Sequence, residues 1–477
     1  MNRSVLAVCG LLFVCVLVVY SCGGSMSNPL QQGSPALSVT VTDTPPAGVS
    51  VLSFEVSVTG ATLNPGSVDL LAGRGPVRIE VENLETESGF LNTARVAPGT
   101  YTSLNLTFAN PELTFKNGTT GTLAGCAAGA VCEIKPAGTL TSTVNFPSPG
   151  LTITGSSSGM MQEEDDERTA MGIQVDLNVN TILSGTLGVD FSQAGAVSVR
   201  ELTREGEGEF DDVDDLKGVV QNLNTTNMTF TLHTMTGDFS ITTDSHTQFE
   251  FENCMANNFS CLQNNMVVRV DVMMMPGGIF LAREIGFEDN AEDDEVEGVV
   301  FKIDDAMHFE MVVLDELRPL NNVSVGNPVI VTLSSPTFQV QMEELSAPSG
   351  LVSAFQGATD TSQLLPGQAV EIRLTAPANA GPPITVTANR VRLRMTQFTA
   401  NVSGAPVPPN FIVGSLPSLF TGAGISSIQV MTSSQTDFEG VTGVSGLADT
   451  NTVSLRGLLF NNGANPPVLV AKKVRKR

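Results

Sequence analysis

Tryptophan is absent from this 477-residue chain, tyrosine occurs twice and histidine three times. The lack of indoles, with Tyr101 the one phenol beyond Tyr20, weakens any reading of an aromatic platform on which sugars or single-stranded nucleic acid would stack. His233, His246 and His308 are scattered and form neither His-Glu-x-x-His nor a compact metal-ligating pair. Positive charge is scarce as well. Lys and Arg total 24 against 49 Asp and Glu, and the resulting −25 repels nucleic acid, which is excluded as a partner. No phosphate-cradling Walker loop or dinucleotide fingerprint occurs. Gly155-Ser156-Ser157-Ser158-Gly159 fits Gly-x-Ser-x-Gly, but it lies in a Ser-rich loop running into Met160 and Met161 rather than at a strand-to-helix turn. These gaps leave no catalytic residue and no resident cofactor to assign, so the chain reads as a non-enzyme.

The longest uncharged apolar run, Val5 to Val19, has 15 residues, short of the ~20 that cross a bilayer as a helix. Preceded by Arg3 and followed by Ser21, it has the form of an export signal over 1–21. Val19-Tyr20-Ser21-Cys22 resembles the lipobox of bacterial lipoproteins, in which the cysteine thiol receives a diacylglycerol and becomes the new N-terminus. Tyr20 departs from the small or aliphatic residues usual there. Residues 22–36 are Gly-, Ser- and Gln-rich and read as a flexible tether with a reach of about 20 Å. Gly23 after the lipidated cysteine implies, by that resemblance, the outer membrane. The predicted location is the cell envelope, with the N-terminal lipid as the membrane contact.

Four cysteines remain beyond Cys9, Cys15 and Cys22, and they fall as close pairs: Cys126 with Cys132, and Cys254 with Cys261. In an oxidising compartment this pattern predicts two local disulfides; the spacing is not that of a Cys-x2-Cys metal site. The basic end, Lys472, Lys473, Arg475, Lys476 and Arg477, reads as a frayed, solvated tail.

Alternation sets the fold class. Leu37, Val39 and Val41, then Leu52, Phe54, Val56 and Val58, then Leu104, Leu106 and Phe108, then Ile173, Val175, Leu177 and Val179 alternate with polar residues between Gly, Pro and Asn turns. That period predicts half-buried antiparallel strands and a β-sandwich over 37–203. Beyond it the chain repeats itself. Leu216-Lys217-Gly218-Val219-Val220 returns as Val296-Glu297-Gly298-Val299-Val300, and Thr247-Gln248-Phe249 as Thr436-Asp437-Phe438, with Thr337-Phe338 between. Ala282-Arg283-Glu284-Ile285 returns as Ala388-Asn389-Arg390-Val391 and Ala471-Lys472-Lys473-Val474. About three small β-barrel or β-meander repeats are predicted, over 204–290, 291–395 and 396–477, the last with a divergent start. The whole is all-β.

Leu37-Ser38-Val39-Thr40-Val41-Thr42-Asp43-Thr44-Pro45-Pro46, Val96-Ala97-Pro98-Gly99-Thr100-Tyr101 and Val175-Asp176-Leu177 resemble domain of unknown function 4382, a β-rich module of bacterial envelope lipoproteins. The repeats resemble the 5666-type domain of unknown function, with its Gly-Val start, Thr-x-Phe centre and Ala-x-x-Ile/Val end. The resemblance implies an envelope lipoprotein of Gram-negative type with a binding or structural role, and neither family carries a catalytic constellation to transfer.

Three acidic runs remain: Glu163 to Glu167, then Asp211, Asp212, Asp214 and Asp215, then Glu292, Asp293, Asp294 and Glu295. Hard cations such as calcium take several carboxylate oxygens, so the residues from Asp211 to Asp215 and from Glu292 to Asp294 are candidate metal ligands in inter-domain loops; solvated, self-repelling linkers are the alternative. The function expected is non-enzymatic, binding an envelope protein or polysaccharide or building envelope structure. The alternative is a glycan-acting enzyme that uses paired carboxylates.

Overall fold

The computed structural model describes residues 35–41, 49–71, 76–81, 89–93, 96–153, 171–202, 212–234, 237–251, 254, 256–275, 279–290, 294–316, 320, 322–342, 345–379, 381–463 and 465–477. The export signal, Cys22, the tether up to residue 34, Gly155–Gly159 and Glu163–Glu167 lie outside the described residues. Among the described residues no helix is long and apolar enough to cross a membrane.

Residues 35–202 form two sheets around one core. The first runs Val197–Leu202, Met171–Leu177, Pro35–Val41, Gly89–Thr93; the second is built on the long pair Val49–Asn64 and Ser103–Asn117. Phe54, Leu104, Phe115 and Phe191 are wholly buried between them, with Phe108 stacked on Phe191 at 4.0 Å. Two departures from simple alternation have causes. Pro35–Val41 runs parallel to Met171–Leu177, not antiparallel, because the long intervening chain serves as the crossover that parallel pairing requires. Residues 49–56 are buried on both faces because the outer face of that strand, Leu52 included, is covered by the C-terminal half of the chain.

That half contains three closed five-stranded barrels. Barrel I comprises Asp212–Asn224, Thr229–Thr234, Gly237–Thr242, Met266–Met275 and Ile279–Asn290. Barrel II comprises Glu295–Ile303, His308–Glu316, Pro328–Val340, Ala369–Leu374 and Ile384–Leu393. Barrel III comprises Met395–Val402, Asn410–Gly414, Ile428–Met431, Thr452–Phe460 and Val468–Lys476. In each, the first strand pairs with the second and fourth, the second with the third, the fourth with the fifth, and the third closes on the fifth in parallel. This Greek-key connectivity is that of the OB-type barrel, and closure pairs each barrel strand on both sides. The link from third to fourth strand carries a helical turn whose apolar side chain enters the core: Phe259 in barrel I, Phe355 in II, Val444 in III.

The repeated signature is explained by this architecture. Ala282 and Ile285 are three residues apart yet both buried, as are Ala388 with Val391 and Ala471 with Val474, which a period of two forbids. A β-bulge in each fifth strand resolves the conflict by inserting one residue into the pairing register. The bulge strands a carbonyl, and the repeated threonine satisfies it: Thr247 Oγ1 donates to Ala282 O at 2.7 Å and Thr436 Oγ1 to Ala471 O at 2.8 Å. In barrel II the shifted Thr337 Oγ1 donates to Asn389 O at 3.3 Å. The same hydroxyls accept from Asp244 N at 3.0 Å and Ser433 N at 2.9 Å, locking the turn that leads into the motif. The glycine of the Gly-Val start is required by a close crossing. A Cβ on Gly298 would stand 2.1 Å from Val312 O, and one on Gly218 would stand 2.6 Å from His233 O.

The basic C-terminus is not a frayed tail. Lys472, Lys473, Arg475 and Lys476 belong to the fifth strand of barrel III, with Val474 wholly buried and Arg475 Nε donating to Glu439 Oε2. Even Arg477 is tied down, its N–H to Thr452 O at 3.0 Å and its Nε to Ser454 Oγ at 2.8 Å. Pairing with Thr452–Phe460 supplies the hydrogen bonds that an isolated terminus lacks.

Candidate functional site: a sealed ionic joint and a charge-free face

Three of the four bodies meet in one apolar cluster. Leu52 of the sandwich, Phe301 and Val312 of barrel II and Leu419 of barrel III pack together, and beside them Thr114 Oγ1 donates to Gly326 O and Asn327 Nδ2 to Glu133 Oε2. Lys116 at this seam is held below the usual lysine value, first by burial and then by neighbouring Lys302. Barrels II and III also share a core: Leu458, Phe460, Val468 and Val470 of III complete the cluster that holds Phe355 and Leu364 of II. Gln368 Nε2 donates to Leu459 O across this seam at 2.7 Å. Gly367, at φ +90°, lies so close to the Phe420 ring that a Cβ would stand 2.2 Å from it.

Barrel I meets barrel II through charge. Its apolar cluster consists of its own residues. Its Lys217, whose side chain is 12% exposed, reaches Glu371 Oε2 at 3.2 Å and Glu297 Oε2 at 3.6 Å on the outer wall of barrel II. There Arg392 Nη1 donates to Glu371 Oε1 at 2.8 Å, Arg394 Nε to Glu297 Oε2 at 3.1 Å, and Arg390 pairs with Glu295. Glu371 is 1% exposed and the three arginines are buried. With Asp315, which also faces Lys217, the cluster brings together, among the described residues, four basic and four acidic side chains. Burial pulls the Lys217 ammonium down, yet Glu371 and Glu297 outweigh it and hold the group above the ordinary lysine value. Burial pushes the Asp315 carboxyl above the ordinary carboxylate value, against the pull of Lys217. Sequence reasoning missed this constellation. Its signal was present as charge at every second residue, Glu295 with Glu297 and Arg390 with Arg392, continued by Arg394 just past the strand end, a pattern that places each pair on one face of its strand.

The second unusual surface belongs to barrel III. From Met395 to Thr436 the chain contains no Asp, Glu, Lys, Arg or His, and this interval supplies the first three strands. Val407, 71% exposed, and Ile412, 46% exposed, are two of the three exposed large hydrophobic residues among the described residues. Pro408 and Pro409 lie exposed between them, and Asn410 and Gln429 are half-buried beside Ile412 on its own and the paired strand. An apolar patch bordered by uncharged amides has the composition of an interface core, which is depleted in charge.

The residues singled out from sequence fall as follows. Cys126–Cys132 and Cys254–Cys261 are disulfides, with Cα separations of 5.8 and 5.9 Å. Asp211, Glu292 and Asp293 lie outside the described residues. Asp212, Asp214 and Asp215, expected in a linker loop, are part of the first strand of barrel I, because their backbone pairs with Met266–Met275. Asp294 precedes barrel II, and its carbonyl accepts the Leu374 N–H at 2.7 Å. Among the described residues no group of three or more His, Cys, Asp or Glu is arranged to hold a metal ion. Each histidine sits beside an aspartate at the surface: His233 with Asp238 at 2.5 Å, His308 with Asp305 at 2.8 Å, His246 with Asp244 at 3.5 Å. The Tyr101 hydroxyl, in the strand-entry motif near the front, donates to Ala97 O at 2.9 Å and so pins its own turn.

No curated protein and no solved structure matches this chain. The model of one family, a domain of unknown function (DUF5666), matches residues 217–286, the span of barrel I from Lys217 to Gly286. Barrel I is thus the part of the chain similar to that family, and its Gly218, Thr247, Ala282 and Ile285 are the residues that close and bulge the barrel.

Proposed function

We propose that the protein is a lipid-anchored component of a bacterial cell envelope that binds a partner rather than transforms one. Cys22 would carry the lipid, residues 22–36 the tether, and the front sandwich the role of a 4382-type lipoprotein module, with the outer membrane as its location. The partner is an envelope protein or polysaccharide with an uncharged contact surface, docked on barrel III. The observation that carries this reading is the charge-free interval Met395–Thr436 with Val407 and Ile412 exposed on it, within a chain of net charge −25. On such a chain a neutral apolar face is where a partner meets no like-charge repulsion.

The signature residues of the repeats are occupied in making the fold, which leaves surface rather than chemistry as the distinguishing property of each barrel. Glu297 and Glu371 do stand in register on neighbouring strands. Both are held by cations and covered by barrel I, whereas an acid and base acting on a glycan need a cleft that the sugar can enter.

The test is site-specific photocrosslinking in intact cells from position 407 and, as a control, from exposed Asn227 of barrel I. A discrete, reproducible product from position 407, lost in Ile412→Asp, is the expected result. Products from both positions alike, or from neither, would remove barrel III as the docking face. Separately, Cys22→Ala should move the protein from the membrane to the soluble fraction, and retention on the membrane would refute the lipid anchor.

A further inference from the structure

We propose that barrel I is a detachable module, and that Lys217 is the latch that seats it on barrel II. The sandwich, barrel II and barrel III are joined by shared apolar clusters, and separating them would wet Leu52, Phe301, Phe355 and Phe460. Among the described residues barrel I shares no such cluster. Among the described residues it places on barrel II the Lys217 ammonium, 3.2 Å from Glu371 and 3.6 Å from Glu297. Parting this joint exposes charges that water solvates well and, among the described residues, no apolar cluster shared with barrel II, so its hydrophobic penalty is smaller than that of the other seams.

The latch is selective. Without Lys217 the seat loses the cation that Glu371 and Glu297 both face, leaving Arg392 on the first and Arg394 on the second. A buried ion pair adds little net stability but fixes register, because a wrong docking leaves charge buried and unpaired. Barrel I is also equipped to stand by itself: its core is closed by its own strands, and it carries its own disulfide, Cys254–Cys261. Barrels II and III, fused through Phe460 and Gln368, have none among the described residues. The cognate outward positions on the fifth strand of barrel III, Lys473 and Arg475, pair with Glu439 of the same barrel, so that seat is filled internally rather than by a neighbour.

The experiment is chemical footprinting of the full chain, with solution scattering on the same samples. Carbodiimide labelling reports Glu371, and phenylglyoxal labelling reports Arg392, both sealed when the latch is closed. Lys217→Glu and Lys217→Met should raise labelling at both sites about tenfold and enlarge the radius of gyration, while Lys217→Arg should stay within about twofold of the natural chain. Backbone exchange at Val267–Val272 and at Val453–Phe460 should be unchanged, showing that barrel I and the II–III pair remain folded. Sealed Glu371 and Arg392 in both Lys217→Glu and Lys217→Met would overturn the proposal. So would labelling that rises only together with lost protection in barrels II and III, which would make Lys217 a general stabiliser and not a latch.

Discussion

The two joints of barrel II show how one fold is docked by opposite physics. Toward barrel III it uses Phe355, Leu364 and a buried amide-to-carbonyl hydrogen bond against Leu458, Phe460 and Val468; toward barrel I it uses four basic and four acidic side chains. The apolar joint derives free energy from area removed from water, and its strength depends little on pH or salt. The ionic joint derives specificity from pairing and becomes costly when one partner is removed. The chain thus has a firm block of sandwich, barrel II and barrel III, and a barrel I held by charge.

Four variants test that contrast. Phe460→Ala, which opens a cavity in the shared core, should cost about 4 kcal/mol and lower the melting of barrels II and III together, measured by differential scanning calorimetry; two separate shifts would mean that the core is not shared. Removing Cys254–Cys261 by a double Ala substitution should cost about 2.5 kcal/mol, read as earlier urea unfolding confined to Asp212–Asn290, and an equal loss in barrel III would contradict the separateness of barrel I. Thr247→Val and Thr436→Val, which orphan the same bulge carbonyl in two differently docked barrels, should each cost about 1.5 kcal/mol. Urea midpoints differing widely between those two would show that the joints, and not the bulge, set barrel stability.

The smallest effect is Asp315→Asn. The folded carboxyl sits above its unfolded value because of burial, so its favourable contribution is present below the unfolded value and is lost as pH rises through the folded one. Asn, which stays neutral, should therefore stabilise the joint near neutrality and make no difference in strong acid. Lys217 has the same sign at the alkaline end: raised by Glu371 and Glu297, it stabilises fully below the ordinary lysine value and stops doing so as pH rises through its folded one. A pH titration of thermal unfolding in both chains checks the pair.

Much of this was legible in residues, and the illegible part has a common cause. Alternation and repetition announced strands and three copies, because a strand's two faces and a barrel's closing bulge each impose local spacing. The pairing of Cys126 with Cys132 and of Cys254 with Cys261 was readable for the same local reason. The fate of Lys472 to Arg477 was not, since the partner strand begins at Thr452 and a cationic string looks the same paired or frayed. Nor was the ionic joint: Lys217, Glu297, Glu371 and Arg392 are brought together by barrel closure and docking, not by spacing along the chain. Residues 49–56 looked half-buried because nothing near them in sequence indicates that Phe301, Val312 and Leu419 cover their second face.

The bulge in each fifth strand has a consequence for how such a chain can lengthen. By holding Ala and Ile or Val to the interior three residues apart, it divides the strand into one set of positions that fills the barrel and another that faces outward, to its own wall or to a neighbour. Glu284 and Gly286, Arg390 and Arg392, and Lys473 and Arg475 occupy that second set. A duplicated copy can therefore exchange one kind of neighbour for another by editing a few outward letters while the inward ones are left alone.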